Sequence, residues 1–598
     1  MRYRQENDIC IVSLILHRIN RRINNTRKTQ MKNALAIAIA AAALAGCTAT
    51  TKAPEAVSGT ALFDNFVYAG HDSIYGTLAT DSTTWLNPLL PGWYSDPSVC
   101  SNGRGDYFLV TSTFCYYPGV PIFHSRDMVN WRQIGHVLNR PSQLDNFPGQ
   151  HISGGIFAPA ISYNPANKTY YMITTNVGAG NFFVKTTDPM SGQWSDPVYL
   201  PEVQGIDPSF FFDEDGKAYI VNNDDAPDGK PQYDGHRTIR VVEFDTATDK
   251  CTGERRIVVD KGWRPQDKPI WCEGPHIYKV NGQYYLMTAE GGTGDNHSEV
   301  IYRGPSPMGP FTPYEKNPIL TQRNLAADRE NPVTCAGHAD LIRTDEGDWL
   351  AVFLACRPTR GGFENLGRET FMLPVEWTED GWPVINPDMQ PVALTGTRGK
   401  AIDESTRTFG NFTVADDFDS TALDQRWMTL RAPASELYSL SRVPGHLALQ
   451  CSDITASQKD TPAFVARRIQ HHDFDATTAM TFVPDTAGRA AGVLVFKDET
   501  HQYFLGRGLD EAGNDVIFVD KTSPEGVTTL AETAAPASDT VVLRVSGDGL
   551  TFAFAYSADG GNTFSTVAEG VDARHTSTAG AGGFTGTTAG HYATNKRK

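Results

Sequence analysis

No C-x-x-C pair occurs among the nine cysteines of this 598-residue chain, so the spacings of a zinc ribbon or finger are absent. Helical periodicity is nearly absent too, and strands must therefore carry the fold. Excess positive charge is missing: the formal net charge is −17, which argues against nucleic acid and anionic membrane surfaces as partners. That balance suits a protein handling neutral ligands. The apolar stretch after Lys32 is too short to favour a spanning helix.

What the first residues do contain is an address. Residues 1–30 are rich in Arg, Asn and Lys and precede a second methionine, Met31. From there a short cationic start, an Ala/Leu/Ile stretch and Leu44-Ala45-Gly46-Cys47 have the form of a bacterial lipoprotein signal. The expectation is a start at Met31, cleavage before Cys47 and lipidation of Cys47. Residues 1–47 would then be extension plus signal peptide, and the exported protein would sit in the bacterial envelope, periplasmic or outer-membrane-associated, touching the membrane only through its lipid. An ordinary secretory signal with a cysteine at that place is the plainer alternative. Export permits disulfides, and Cys335 with Cys356 is one candidate pair, although the odd number of remaining cysteines assigns none.

About 550 residues follow Cys47, too many for one core and enough for two or three domains. After a linker and entry segment, 48–84, with the Thr/Ala/Pro-rich linker itself near 48–60, the chain from 85 to 400 is repetitive. A turn followed by an aromatic-apolar strand recurs as NGRGDYFLVTSTF, NKTYYMITTNV, DGKAYIVNND, NGQYYLMTAEGG and EGDWLAVFLAC, about 50 to 65 residues apart. That is the scale of a four-stranded propeller blade, and five copies predict an all-β, five-bladed β-propeller. Each copy follows a strand that opens on a marker: Asp96 in YSDPS, FAPA from Phe157, Asp207 in GIDPS, Glu273 in WCEGP and His338 in AGHAD. In a propeller such markers converge at one mouth of the central channel. Taken singly, each Asp-Pro or Glu-Gly-Pro is equally well a turn at the head of a strand, since Asp caps turns and Pro presets their φ.

Together, YSDPS, GIFAPA, GIDPSFFFDEDG, WCEGPHIYKVNG, AEGG, AGHADLI and LGRETF resemble glycoside hydrolase family 43, and STFCYYPGVPIFHSRDMVNW is similar to its β-xylosidase and α-L-arabinofuranosidase branch. The resemblance implies an exo-acting, inverting enzyme that releases β-D-xylose or α-L-arabinofuranose from xylo- or arabino-oligosaccharides. It implies Asp96 as general base, Glu273 as general acid and Asp207 as the third acid, which orients Glu273 and raises its pKa. Inversion requires base and acid carboxyls about 6.5 to 9.5 Å apart, with the attacking water between. By the same resemblance Phe114 and Phe157 wall the sugar site, Arg368 contacts substrate, and His338 lies near the channel axis, where relatives hold Ca2+ or another ion largely through water. No cofactor is required for the chemistry. A structural role for His338, and an ion pair of Arg368 with Glu364 or Glu369, stand beside those assignments. Many relatives carry Trp where Phe157 stands.

From about residue 410 the composition shifts to many short strands separated by turns, predicting a β-sandwich over 410–598. It resembles the concanavalin-A-like jelly roll attached to this branch, which in relatives lends a loop to the active-site rim. The tail after Gly590 is expected to fray. A non-catalytic glycan-binding lipoprotein of the same fold is the alternative function.

Overall fold

The computed structural model describes residues 57–78, 83–144, 147–398 and 408–597; the lipobox and Cys47 lie outside that set. The fold is all-β. Among the described residues the α-helices Ile74–Thr77 and Thr578–Ala581 are single turns.

Five antiparallel meanders follow one another along the chain. The first strings together Ser98–Ser101, Tyr107–Val110, Gly119–Ser125 and Arg132–Leu138. The second and third run over residues 156–199 and 206–260, with four strands each. The fourth begins at Glu273–Val280 and the fifth at Thr334–Arg343. Their hairpins obey local turn chemistry. Val280 pairs with Gln283 across Asn281 and Gly282, whose φ values of 51° and 77° give the doubly left-handed turn that an Asn-Gly pair favours.

The opening strands of the meanders touch in succession, Ser98–Ser101 against Ile156–Asn164, then Ile206–Phe212, Glu273–Val280 and Thr334–Arg343, and the last touches the first again. Ser98 Oγ locks that closure by donating to Asp340 Oδ2 at 2.8 Å. Chain from before the first meander also covers the fifth: Leu89 N–H donates to the Thr370 carbonyl at 2.8 Å, and Thr84–Leu86 pairs with Thr395–Thr397. Between neighbouring meanders lie separate apolar clusters, such as Ile173, Phe183, Phe210 and Phe244 between the second and third. The cluster between the first and second continues into Met428, Phe464 and Phe496 of the C-terminal part.

That part is two packed sheets. One runs in the order Phe464–Arg468, Thr588–Thr594, Ala490–Asp498, His501–Leu509, Asp515–Ser523, Gly526–Ala534. The other contains Leu447–Gln450, Asp473–Thr481, Thr540–Asp548 and Thr551–Ser557. Two expectations fail here. Residues 60–70 are not an entry segment to the first meander but strands of the sandwich: Thr60–Phe63 pairs with Leu447–Gln450 and with Asp473–Thr481, and Phe66–Gly70 with Asp473–Thr481 and Thr413–Asp416. Phe63 and Phe66 are buried in the sandwich core, which is what holds this short stretch there. Nor does the tail fray after Gly590. Thr588–Thr594 is a buried strand between two others, and Arg597 behind it pairs with Asp520 at 3.0 Å.

Candidate active site

The five opening strands share one backbone feature. Asp96, Ala158, Asp207, Gly274 and His338 occupy equivalent places, and all have left-handed φ, of 54°, 31°, 52°, 56° and 51°. Proline follows in four of them and Ala339 in the fifth. Ladder register shifts at the same place between Ile206 and Ser209, Glu273 and His276, and Gly337 and Asp340. Each non-glycine in this conformation costs about 1–3 kcal/mol, and bulges re-aim side chains, so a fivefold repetition of the device marks a site. Glycine is required at 274, where an added Cβ would fall 2.9 Å from His338 Nε2.

These turns aim the side chains into a pocket of about 380 Å³ that gathers Asp96, Asp207, Glu273, Arg368, His338, Phe114 and Phe157. Every residue expected at the site is therefore present in it, except Cys47, which lies outside the described residues. The walls also include Asn223, Arg237, Trp271 and Phe584. The Arg237 guanidinium lies 4.2 Å over the Trp271 ring. Phe114, Phe157 and Phe584 form an aromatic corner with centroids 5.7, 6.1 and 5.5 Å apart. Phe584 belongs to the sandwich. Its loop reaches the rim because Gly367 and Gly586 approach closely; a Cβ on Gly367 would sit 2.7 Å from Gly586 N.

The carboxyls are treated differently. Burial pushes Asp96 up, but Arg368, then His338, and the Ser112 hydroxyl hold it below the usual carboxylate range. Arg368 Nη1 donates to Asp96 Oδ1 at 3.2 Å and to Thr293 Oγ1 at 3.0 Å, while Ser112 Oγ donates to Asp96 Oδ2 at 2.5 Å. Arg368 is thus a buried partner of Asp96, and Glu369 pairs instead with Arg357, at 2.7 Å. Glu273 moves the other way. Its burial, then the charges of Asp207 and Asp96, raise it well above the carboxylate range against the opposing pull of Arg368 and Arg237. Asp207 is raised as well, by burial and by Asp96, although it accepts the Gly274 N–H at 3.1 Å. One carboxyl kept ionised facing another kept protonated is an arrangement that can supply a base and an acid at the same pH.

His338 is buried with Nδ1 4.0 Å from Asp96 Oδ1, and burial lowers its pKa to about 4, so the ring is neutral near pH 7. Below it the axial cavity measures about 10 Å³, roughly one water molecule. Its walls present the rings of His276 and His338, and Ser98 and Ser209 spend their hydroxyls on Asp340 and the Pro275 carbonyl. Asp96 and Asp207 line the same cavity, and Ca2+, which takes six to eight oxygen ligands, would have to complete its shell there largely with water. Cys335 and Cys356, the candidate disulfide, are both free thiols.

The fold and site together define an acid–base hydrolase with an aromatic-walled pocket. The family model of glycosyl hydrolases family 43 matches residues 85–383, and that of the β-xylosidase C-terminal concanavalin A-like domain matches 415–598. The chain is 35% identical to the non-reducing end α-L-arabinofuranosidase BoGH43B of Bacteroides ovatus, covering 85% of this chain and 91% of that protein. To a xylosidase/arabinosidase of Butyrivibrio fibrisolvens it is 40% identical, over 70% of this chain and 79% of the relative. A solved family 43 structure from a capybara gut metagenome superposes with a TM-score of 0.82 at 40% identity, covering 89% of this chain and 99% of that one. The chain belongs to glycosyl hydrolases family 43.

Proposed function

We propose that this protein is an exo-acting, inverting O-glycosyl hydrolase that removes terminal β-D-xylose or α-L-arabinofuranose from xylan- or arabinan-derived oligosaccharides. The observation that carries the reading is the opposed shift of Asp96 and Glu273 within one pocket. A binding protein has no use for it. Asp96, ionised beside Arg368, takes a proton from the attacking water as it adds to the anomeric carbon. Glu273, kept protonated, delivers its proton to the leaving oxygen, and Asp207 holds it in that state. Both groups are carboxyls, so the reaction needs no cofactor.

The ring of five meanders is read as a five-bladed β-propeller, supported by the contact of its last opening strand with its first. Closure by Phe584 favours single terminal sugars over internal ones. The relatives carry both xylosidase and arabinofuranosidase names, which supports the pentose class and leaves both sugars in play. Export as an envelope lipoprotein rests on Leu44–Cys47; mass analysis of cell-made protein should find a diacylglyceryl thioether on Cys47, lost in Cys47→Ser.

The activity is tested on aryl β-D-xylopyranoside and aryl α-L-arabinofuranoside, with Asp96→Asn alongside. Hydrolysis of at least one, falling about 10²- to 10⁴-fold in the variant, is expected. Folded protein inactive on both and on pentose oligosaccharides would reject the reading.

A further inference from the structure

Outside the sugar pocket, three side chains with metal-ligating atoms meet. Cys335, Cys356 and Glu364 each offer one such atom, and these atoms lie within 4.8 Å of one another. None of the three lines the pocket. The fold makes a specific effort to assemble them. Thr334 is the direct cross-strand partner of Cys356, so in a regular strand Cys335 would point to the opposite face. Instead Cys335 sits in the bulge with φ 58°, which turns its thiol to the Cys356 side. Cys335 Sγ lies 3.3 Å from Glu364 Oε1, which also accepts from Thr334 Oγ1 at 3.0 Å.

We propose that Cys335, Cys356 and Glu364 form a binding site for a thiophilic divalent cation of the zinc class, with Thr334 or a water as fourth donor. Two thiolates and a carboxylate suit a tetrahedral ion of this kind. Binding displaces the two thiol protons to solvent. The occupied site then carries one net negative charge, and the buried Lys497, whose ammonium interacts with Glu364 and Cys356, stands ready to balance it. Lys497 also donates to the Thr585 carbonyl, next to Phe584. Glu364 is four residues before Arg368, and its carbonyl accepts the Thr578 N–H at 3.1 Å. A bound ion would thus brace the Arg368 segment against the sandwich loop without entering the reaction.

The test titrates the reduced, purified protein with Cd2+ and with Zn2+. The expected result is a thiolate-to-cadmium charge-transfer absorption that saturates at one equivalent, and a melting temperature raised by Zn2+. Cys335→Ser and Cys356→Ser should lose the band and bind Zn2+ at least tenfold more weakly, and Glu364→Gln should weaken binding while keeping the band. The band is specific to thiolate, so an ion held by histidines elsewhere does not imitate it. Absence of the band from the unmutated protein overturns the proposal whatever the variants do. So does its survival in Cys356→Ser. So does a Cys335–Cys356 disulfide in protein purified without reductant, if that protein still takes up no metal once reduced.

Discussion

The ring of meanders and the sandwich build one pocket by opposite means. The ring repeats a single backbone device five times and varies the side chain upon it: Asp96, Ala158, Asp207, Gly274 and His338 share a left-handed turn, while the side chains range from carboxyl to methyl, hydrogen and imidazole. The sandwich contributes Phe584 alone, from a stretch between the single-turn helix Thr578–Ala581 and the strand Thr588–Thr594. Repetition lets a fold place several polar groups at one point without any being adjacent in sequence. A lone loop, by contrast, supplies enclosure and depends on the contact between two domains.

The comparison breaks most sharply at the acid. Glu273→Gln should cost about 10²- to 10⁴-fold on substrates with poor leaving groups and much less on activated aryl glycosides, which need little protonation. Equal losses on both would remove Glu273 from that role.

Next in size is the joint between the two parts. Arg357 is buried, with Nη2 2.8 Å from Glu369 Oε1 and Nη1 3.1 Å from Asp72 Oδ2, and Asp72 accepts the N–H of Asp473 in the sandwich. Arg357→Leu leaves two buried carboxylates unpaired and should destabilise by about 3–5 kcal/mol in denaturant unfolding. A near-neutral result would mean that the two parts hold each other by apolar contact alone.

Arg368 sharpens the electrostatics. It is the strongest of the neighbours that lower Asp96. In Arg368→Gln the burial of Asp96 is less opposed, its protonated form gains, and the acid limb of kcat/KM should move to higher pH. The alkaline limb follows deprotonation of Glu273 and should lie above the ordinary carboxylate range in the unmutated enzyme. An acid limb that stays in place would detach Arg368 from the base.

The smallest effect is expected from the sandwich. Phe584→Ala opens the aromatic corner, and loss of ring contacts worth about 0.5–1.5 kcal/mol should lower kcat/KM on short oligosaccharides roughly 2- to 10-fold. No loss would leave Phe584 a bystander.

The sequence made the repeated half readable and the single half obscure, for a physical reason. The markers at Asp96, Asp207, Glu273 and His338 announce themselves because proline, glycine and a following β-branched or aromatic strand must accompany each tight turn. Trp271 lies inside the same WCEGP motif and could have been drawn from it. Phe584 sits in GAGGFTGTT, where nothing periodic marks it; its position depends on Gly586 meeting Gly367, more than two hundred residues away in the chain. Cys335 and Cys356 could be named as a pair, but the meeting of both with Glu364 is hidden likewise, because a bulge and not spacing brings the three together. Thr60–Phe63 read as an entry segment because its partners lie beyond residue 440. The Thr588–Thr594 strand was hidden by its small, weakly patterned residues.

That last pair of strands has a consequence for how the protein comes into being. Thr60–Phe63 waits on partners from Leu447–Gln450 and Asp473–Thr481, and the other sheet waits on Thr588–Thr594. The ring is spliced into the sandwich much as a stone is set between two prongs, and the prongs close only when the Thr588–Thr594 stretch has emerged from the ribosome. A nascent chain therefore owns Asp96 and Glu273 long before it owns Phe584, the far wall of the same pocket.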